Sequence, residues 1–331
     1  MAPQPEQGNG EHGSTEGRDA FSRAILDSAL DCIITMDANG RVCEFNPAAE
    51  KVFGFSRSEA VGRELADLIV PPRMREQHRQ GLARYLQTGE GPLLGKRIEI
   101  AALRRDESEI LVELAITPFK VNSSLFFSAY LRDITERVRN DRRRTVQYTV
   151  AGLLAGSSTL DEISSQILEA IASIDDWAFA AMWLEGQTAG AVRCHQTWHS
   201  PTARLNKFAD LSRSTQLSIK EGLPGRAWAS KEPTWIHDVT RDPNFPRGAA
   251  AAEVDLHGAF AFPLCAKGCV NGIIELLSHR PVQPDEDLVK MAELLGVEIG
   301  LFIERGKLER ELQGTRKAPG GVSKDVKSSD V

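Results

Sequence analysis

The chain has 331 residues, 41% apolar and 26% charged, enough apolar material for two cores, since one domain usually takes roughly 100–200 residues. Its formal net charge of −6, from 46 acidic against 40 basic side chains, supplies no general pull toward a phosphate backbone, so no nucleic-acid partner is expected. No apolar run approaches the roughly 18 residues of a membrane-spanning helix, and the polar N-terminal stretch lacks the core of a signal peptide, so no membrane association and a cytoplasmic location are expected. The five cysteines, Cys32, Cys43, Cys194, Cys265 and Cys269, are odd in number and mostly isolated, which suits free thiols in a reducing compartment. Cys265 and Cys269 have no second Cys or His pair at ligand spacing, so no metal site is expected.

Residues 1–19 and 314–331 are rich in Gly, Glu, Gln, Lys and Ser and read as solvated, disordered tails. Between the tails, Ala24 to Leu30 forms a short helical patch, followed by the β-rich run Cys32 to Asp37. Asn39-Gly40 signals a hairpin, and Arg41 to Phe45 is the return strand. Asn46-Pro47 supplies an N-cap and a first-turn proline for a small helix. Pro71-Pro72 opens the longest helix of the first half, which ends at Thr88-Gly89. On it Met74, His78, Leu82 and Tyr85 are spaced four, four and three apart, so His78 is expected to face inward with the apolar stripe. Three further strands, Lys96 to Leu103, Glu109 to Pro118 and Leu125 to Arg132, are separated by polar turns. The expected product is an α+β domain built on an antiparallel sheet.

Phe45-Asn46-Pro47-Ala48-Ala49-Glu50, Phe53-Gly54-Phe55, Gly62-Arg63-Glu64-Leu65 and Asp133-Ile134-Thr135 together resemble the PAS sensor family, over residues 20–137. The resemblance implies that Asp133 and Thr135 join the last strand to an exiting signal helix and act in signal relay. It also implies a candidate cofactor pocket at His78, Met74, Leu82 and Tyr85. The segment from His78 through Arg84-Tyr85 resembles the haem-ligating helix of oxygen-sensing PAS kinases, which makes haem an alternative cofactor, with His78 as its iron ligand. Those relatives hydrogen-bond bound oxygen through an arginine on the next strand. Here Ile98 falls at that position, with Arg97 on the opposite face.

Residues 138–157 read as an arginine-rich connector helix with solvated faces. Thr159 and Glu162 have capping-box form, ahead of Leu160, Ile163, Ile167, Ile171 and Ile174 at helical spacing. Strands follow at Ala178 to Leu184, Val192 to Trp198, Leu217 to Ile219, Thr234 to Ile236, Gly258 to Leu264 and Val270 to Leu277. Asn206-Lys207-Phe208 lies in an expected charged loop, and Asp285 opens a long last helix. The Gly222-Leu223-Pro224-Gly225-Arg226-Ala227 turn, the strand before Asp238 and the final strand pair make residues 158–304 resemble a GAF domain. Its pocket is expected at Trp228, Trp235, His257 and Phe260. The whole chain is thus expected to be α+β, with two domains, each an antiparallel sheet flanked by helices, joined by a signalling helix and followed by an exiting helix over 305–313.

Both resemblances imply binding modules, not enzymes, so the chain is expected to bind a small-molecule ligand and pass a conformational change to a partner such as a histidine kinase. One alternative is the sensor region of a histidine kinase whose catalytic part is absent from this chain; the other is a haem-based gas sensor. A flavin photoadduct needs a cysteine between Gly62 and Pro72, and a covalent bilin needs one between Asp242 and Gly258. Neither stretch contains one, so neither pigment is expected and the cofactor stays open. On the last helix Leu288, Met291, Leu295 and Phe302 form a face for the domain's own core. Leu294, Leu301 and Leu308 recur every seven residues, with Leu312 four later, and are expected to form the seam of a parallel homodimer.

Overall fold

The structure, a computed structural model, describes residues 13–316 apart from 176, 187 and 189. The chain forms two compact units, Met1–Val138 and Arg139–Val331. In the first unit α1 (Gly13–Ser28) precedes β1 (Cys32–Asp37) and β2 (Val42–Phe45). Helices α2 (Pro47–Phe53), α3 (Arg57–Ala60), α4 (Leu65–Ile69) and α5 (Pro72–Thr88) lead to β3 (Arg97–Leu103), β4 (Glu109–Val121) and β5 (Ser124–Asp133). The five strands pair antiparallel in the order β2-β1-β5-β4-β3. Ile34, Phe45, Phe53, Leu68, Val112, Phe127 and Leu131 fill the core on the inner face.

Local chemistry sets the joints of this unit. Asn46 caps α2 through the Ala49 amide at 3.0 Å and accepts the Ile33 amide at 2.9 Å. Its amide group donates to the carbonyls of Leu26 and Asp31 at 3.2 and 3.0 Å. One buried side chain therefore pins α1, β1 and α2 together. The β4–β5 hairpin turns on Asn122 and Ser123, both left-handed at φ 49° and 67°, the geometry whose twist matches paired strands. Residues 13–19 are helical, where the composition suggested a tail, because extending a formed helix adds one hydrogen bond per residue ordered. Residues 1–12 and 317–331 of the expected tails lie outside the described residues.

Helix α6 (Thr135–Gly156) follows β5, and the second unit continues with α7 (Leu160–Ala172), β6 (Trp177–Glu185), β7 (Ala191–His199), α8 (Ala203–Ser214) and β8 (Gln216–Ser218). Then come α9 (Gly222–Ser230), β9 (Thr234–Ile236), α10 (Gly248–Glu253), β10 (Gly258–Ala266), β11 (Cys269–Ser278) and α11 (Glu286–Arg316). Six strands pair antiparallel in the order β8-β7-β6-β11-β10-β9. Helices α7 and α11 cover one face, with Phe260, Phe262, Ile274 and Leu276 beneath them. The opposite face, holding Phe179, Trp183, Ala259 and Ala261, packs with residues of α8, α9 and α10. Burial on both faces explains why the central strands read as nearly unbroken apolar runs. Gly296 and Gly300 let α11 lie directly on β10, since an added Cβ would strike the carbonyl oxygens of Pro263 and Cys265.

Three expectations change here. Thr159 makes no side-chain cap; the Glu162 carboxylate accepts the Ser158 amide instead, at 3.3 Å. The stretch around Asn206 is not a loop but α8, whose Leu205, Phe208, Ala209 and Ser212 are buried at the three-and-four spacing of a helix face. Helix α11 runs past residue 314 to Arg316, where a tail was expected, with the Asp285 carboxylate accepting the Asp287 and Leu288 amides at its start.

Candidate functional site

Helix α5 starts at Pro72 and stops at Gly89, which takes the left-handed φ of 72°. Met74, His78, Leu82 and Tyr85 share its inner face, as the spacing predicted, but each is only half-buried and no residue of the helix is buried. Tyr85 meets Phe127 edge-on at 5.2 Å, and Leu82 packs against the core. The sheet face of this core carries Ile100, Leu114, Ile116 and Ala129, also half-buried. The inner face of α5 and the sheet residues of this core are thus apolar and incompletely buried, with His78 and Tyr85 as the members of the helix stripe that carry a polar group. Burial pushes the His78 imidazole below its usual range, with Glu64 partly opposing, so the ring is neutral at pH 7. No hydrogen bond to that ring forms among the described residues. Ile98 pairs with Leu114 on the inner side of the sheet, and Arg97 is exposed and bonds Glu113 at 3.0 Å.

At the unit's end, Asp133 accepts the Thr135 amide at 2.9 Å and an Arg104 guanidinium N–H at 2.9 Å. The Thr135 hydroxyl accepts the Leu111 amide at 3.1 Å. The two residues assigned to relay therefore fasten the first turn of α6 to β4 and to the loop after β3.

In the second unit the four expected pocket residues do not converge. Trp235 stacks on Phe260 at 4.1 Å on the α7/α11 side of the sheet, whereas Trp228 packs into the cluster on the opposite face. His257 lies between Asp238 and Asp255, 3.2 Å from each. Burial lowers its affinity for a proton, but the two carboxylates outweigh burial and hold the imidazole above its usual range. Proximity along the chain suggested one pocket; strand alternation places Trp235 and Phe260 behind the sheet from Trp228.

What sequence reasoning missed is a buried charge cluster on the α8/α10 side. Arg247, 3% exposed, donates through Nη2 to both oxygens of Glu275, 0% exposed, at 2.6 and 2.7 Å. The same carboxylate accepts Trp183 Nε1 at 3.0 Å, and Arg247 Nη1 donates to the Ser212 hydroxyl at 2.8 Å. The guanidinium lies over Trp183, Phe208 and Phe245 at 4.9, 5.2 and 5.1 Å from the ring centroids. Cys194 faces the same core, and burial pushes its thiol up to about 12. One signal was available: Glu275 interrupts the apolar run Ile273-Ile274-Glu275-Leu276-Leu277, and a charge there demands a partner.

On α11 the predicted inward face holds, with Leu288, Met291, Leu295 and Phe302 buried. Leu294, Leu301, Leu308 and Leu312 are exposed, as is Val297 on the same stripe. No helix among the described residues is long and apolar enough to cross a membrane.

Residues 30–136 match the PAS domain family and residues 157–304 the GAF domain family. The chain is a PAS domain followed by a GAF domain, the sensory domains of signal-transduction proteins. Over 131 residues, 40% of the chain, it is 28% identical to the sensor protein FixL of Bradyrhizobium diazoefficiens, covering 26% of that protein. It is 25% identical over 131 residues, also 40% of the chain, to the oxygen sensor protein DosP of Escherichia coli, covering 16% of it. It is 30% identical over 125 residues, 37% of the chain, to the cell-division control histidine kinase PdhS of Brucella ovis, covering 12% of it. The chain thus spans about a quarter or less of the length of the curated relatives it matches.

Proposed function

We propose that this chain is a cytoplasmic sensory module that binds a small, largely apolar ligand in the PAS cleft between α5 and the sheet. Ligand binding changes the packing of α5, and the Asp133–Thr135 junction passes that change to α6. The reading assigns the chain no covalent chemistry of its own; a partner such as a histidine kinase supplies the output, in keeping with the name of the PdhS relative. A parallel homodimer along Leu294, Leu301, Leu308 and Leu312 completes the geometry. The observation that carries the reading is the stripe of Met74, His78, Leu82 and Tyr85, half-buried above half-buried sheet residues, where a ligand gains by burying apolar surface. The experiment is a titration with the apolar probe anilinonaphthalene sulfonate. One saturable site, lost in a Leu82→Trp protein that fills the cleft, supports the reading; binding that is absent, or indifferent to the substitution, defeats it.

A second reading, haem held by His78, is favoured by the neutral imidazole with no ring partner on the cleft side of α5, and by the oxygen-sensor name of the DosP relative. The residues fit a haem through the ring nitrogen and the apolar walls, and bound haem would supply gas binding at its iron. Ile98 presents hydrocarbon, not a hydrogen-bond donor, to that cleft. Added haemin should give a sharp Soret band that His78→Ala abolishes, and a spectrum of free haemin in both proteins sinks this reading.

A further inference from the structure

The cluster around Arg247 has the anatomy of a receptor and its guest. Thr197, Ala181, Glu275 and Ala261 stand in one row across β7, β6, β11 and β10. The alanines on either side of Glu275 leave the carboxylate without bulky neighbours in its row, and the Arg247 guanidinium takes the site above it. The host groups Glu275 and Trp183 come from central strands, and Phe208 and Ser212 from α8. The guest comes from the segment joining β9 to β10. That segment is tied down at its own points: Asp242 accepts Arg226 at 3.0 Å, and Asn244 accepts the Gly222 amide at 3.0 Å and donates to the Lys220 carbonyl at 2.9 Å.

A carboxylate that accepts both of its bonds from one terminal nitrogen, Nη2, beside a hydroxyl that takes the other, Nη1, with aromatic faces within 6 Å of the cation, suits a planar guanidinium by its chemistry. Glu275 cannot be left alone in this core, because an unpaired buried carboxylate is strongly unfavourable. Among cations from solution, a planar guanidinium reproduces the contact to Glu275, the contact to Ser212 and the stacking together. Thr197, 7% exposed, adds a buried hydroxyl with no partner among the described residues on the same face, a polar contact that Arg247 leaves unused.

We propose that the GAF domain contains a guanidinium receptor closed in cis by Arg247, and that a small alkylguanidinium from solution competes for Glu275 as the 238–257 segment lifts. The exchange conserves charge inside the domain, since one guanidinium leaves for water as another enters. This site is independent of the PAS cleft and of any ligand bound there.

The test uses the full chain and N-ethylguanidinium, with ethylammonium as a cation of similar size that lacks the planar fork. Arg247→Ala should lower Tm by about 6–20 °C, the range expected when one partner of a buried pair is removed. Low-millimolar N-ethylguanidinium should restore much of that loss saturably in Arg247→Ala, ethylammonium should not, and neither should restore the Arg247→Ala/Glu275→Gln double variant. In the unmodified protein, hydrogen exchange of the amides at 248–256 should speed up saturably with N-ethylguanidinium and not with ethylammonium, an arm that holds even if Arg247→Ala fails to fold. Equal responses to the two cations, rescue that persists without the Glu275 carboxylate, or exchange unaffected by N-ethylguanidinium each overturn the proposal.

Discussion

Arg143 of α6 and Asp285 at the start of α11 form an ion pair 2.5 Å long inside the second unit, although 142 positions separate them. Arg143 is buried, and the same Asp285 carboxylate accepts the Asp287 and Leu288 amides. One side chain thus caps the last helix and holds the connector helix against the GAF domain. Burial raises the Asp285 carboxyl, but the Leu288 amide and Arg143 outweigh it and leave the group below its usual range. A depressed carboxyl contributes stability above its unfolded value of about 4, which is lost as pH falls through the folded value. Arg143→Ala should cost the second domain about 1–3 kcal/mol at pH 7, less than a fully buried pair because Asp285 keeps some solvent. In urea unfolding, the gap between Arg143→Ala and the unmodified protein should narrow below about pH 4. A gap that is absent at pH 7, or that persists unchanged in acid, contradicts the assignment.

His78 titrates in the opposite charge sense. Its folded value lies below the ordinary histidine range because burial disfavours the imidazolium, so the unfolded chain binds the proton more tightly. Stability of the PAS domain from this group is present above about pH 6.5 and declines as pH falls through the folded value. Replacing His78 by Leu should flatten that decline between neutral pH and pH 5. Urea midpoints at several pH values check it, and an equally steep decline in His78→Leu refutes it.

Asn46→Ala removes four hydrogen bonds at once, leaving the buried Ile33 amide and the start of α2 without their partner. The expected loss is about 2–4 kcal/mol, the sum of a helix cap and one orphaned buried donor. Asn46→Asp keeps both accepted bonds and should recover part of it. Denaturant unfolding of the three proteins decides, and a loss under about 0.5 kcal/mol for Asn46→Ala would be inconsistent with the network.

The leucine stripe of α11 is tested by light scattering over a dilution series. Leu301 and Leu308 are 49% and 44% exposed, so their replacement by Asp leaves the core of the GAF domain untouched while placing charge in an apolar seam. Two heptads form a weak coiled coil unaided, so a dimer of moderate affinity is expected, with the flanking Arg305–Glu309 pair at 3.8 Å adding little. Monomer at every concentration, or a dimer untouched by both substitutions, removes the seam.

Much of this molecule is local and therefore legible in the amino-acid order. Asn46-Pro47 announces a cap and a first turn, and Asn122-Ser123 a tight hairpin. The four-four-three spacing on α5 puts His78 on the inner face, and Asp133-Ile134-Thr135 marks the start of α6. Each is decided within a few residues by backbone geometry and helical or strand period. The second domain's interior is different, because strands buried on both faces carry no polar alternation to say which side a residue takes. Trp228, Trp235 and Phe260 therefore read as one cluster until the sheet separates them. The pairing of Arg247 with Glu275 and of Arg143 with Asp285 likewise depends on which distant elements pack together. A buried charge in the sequence declares only that a partner must exist; the tertiary structure, by excluding water from both, decides which one it is.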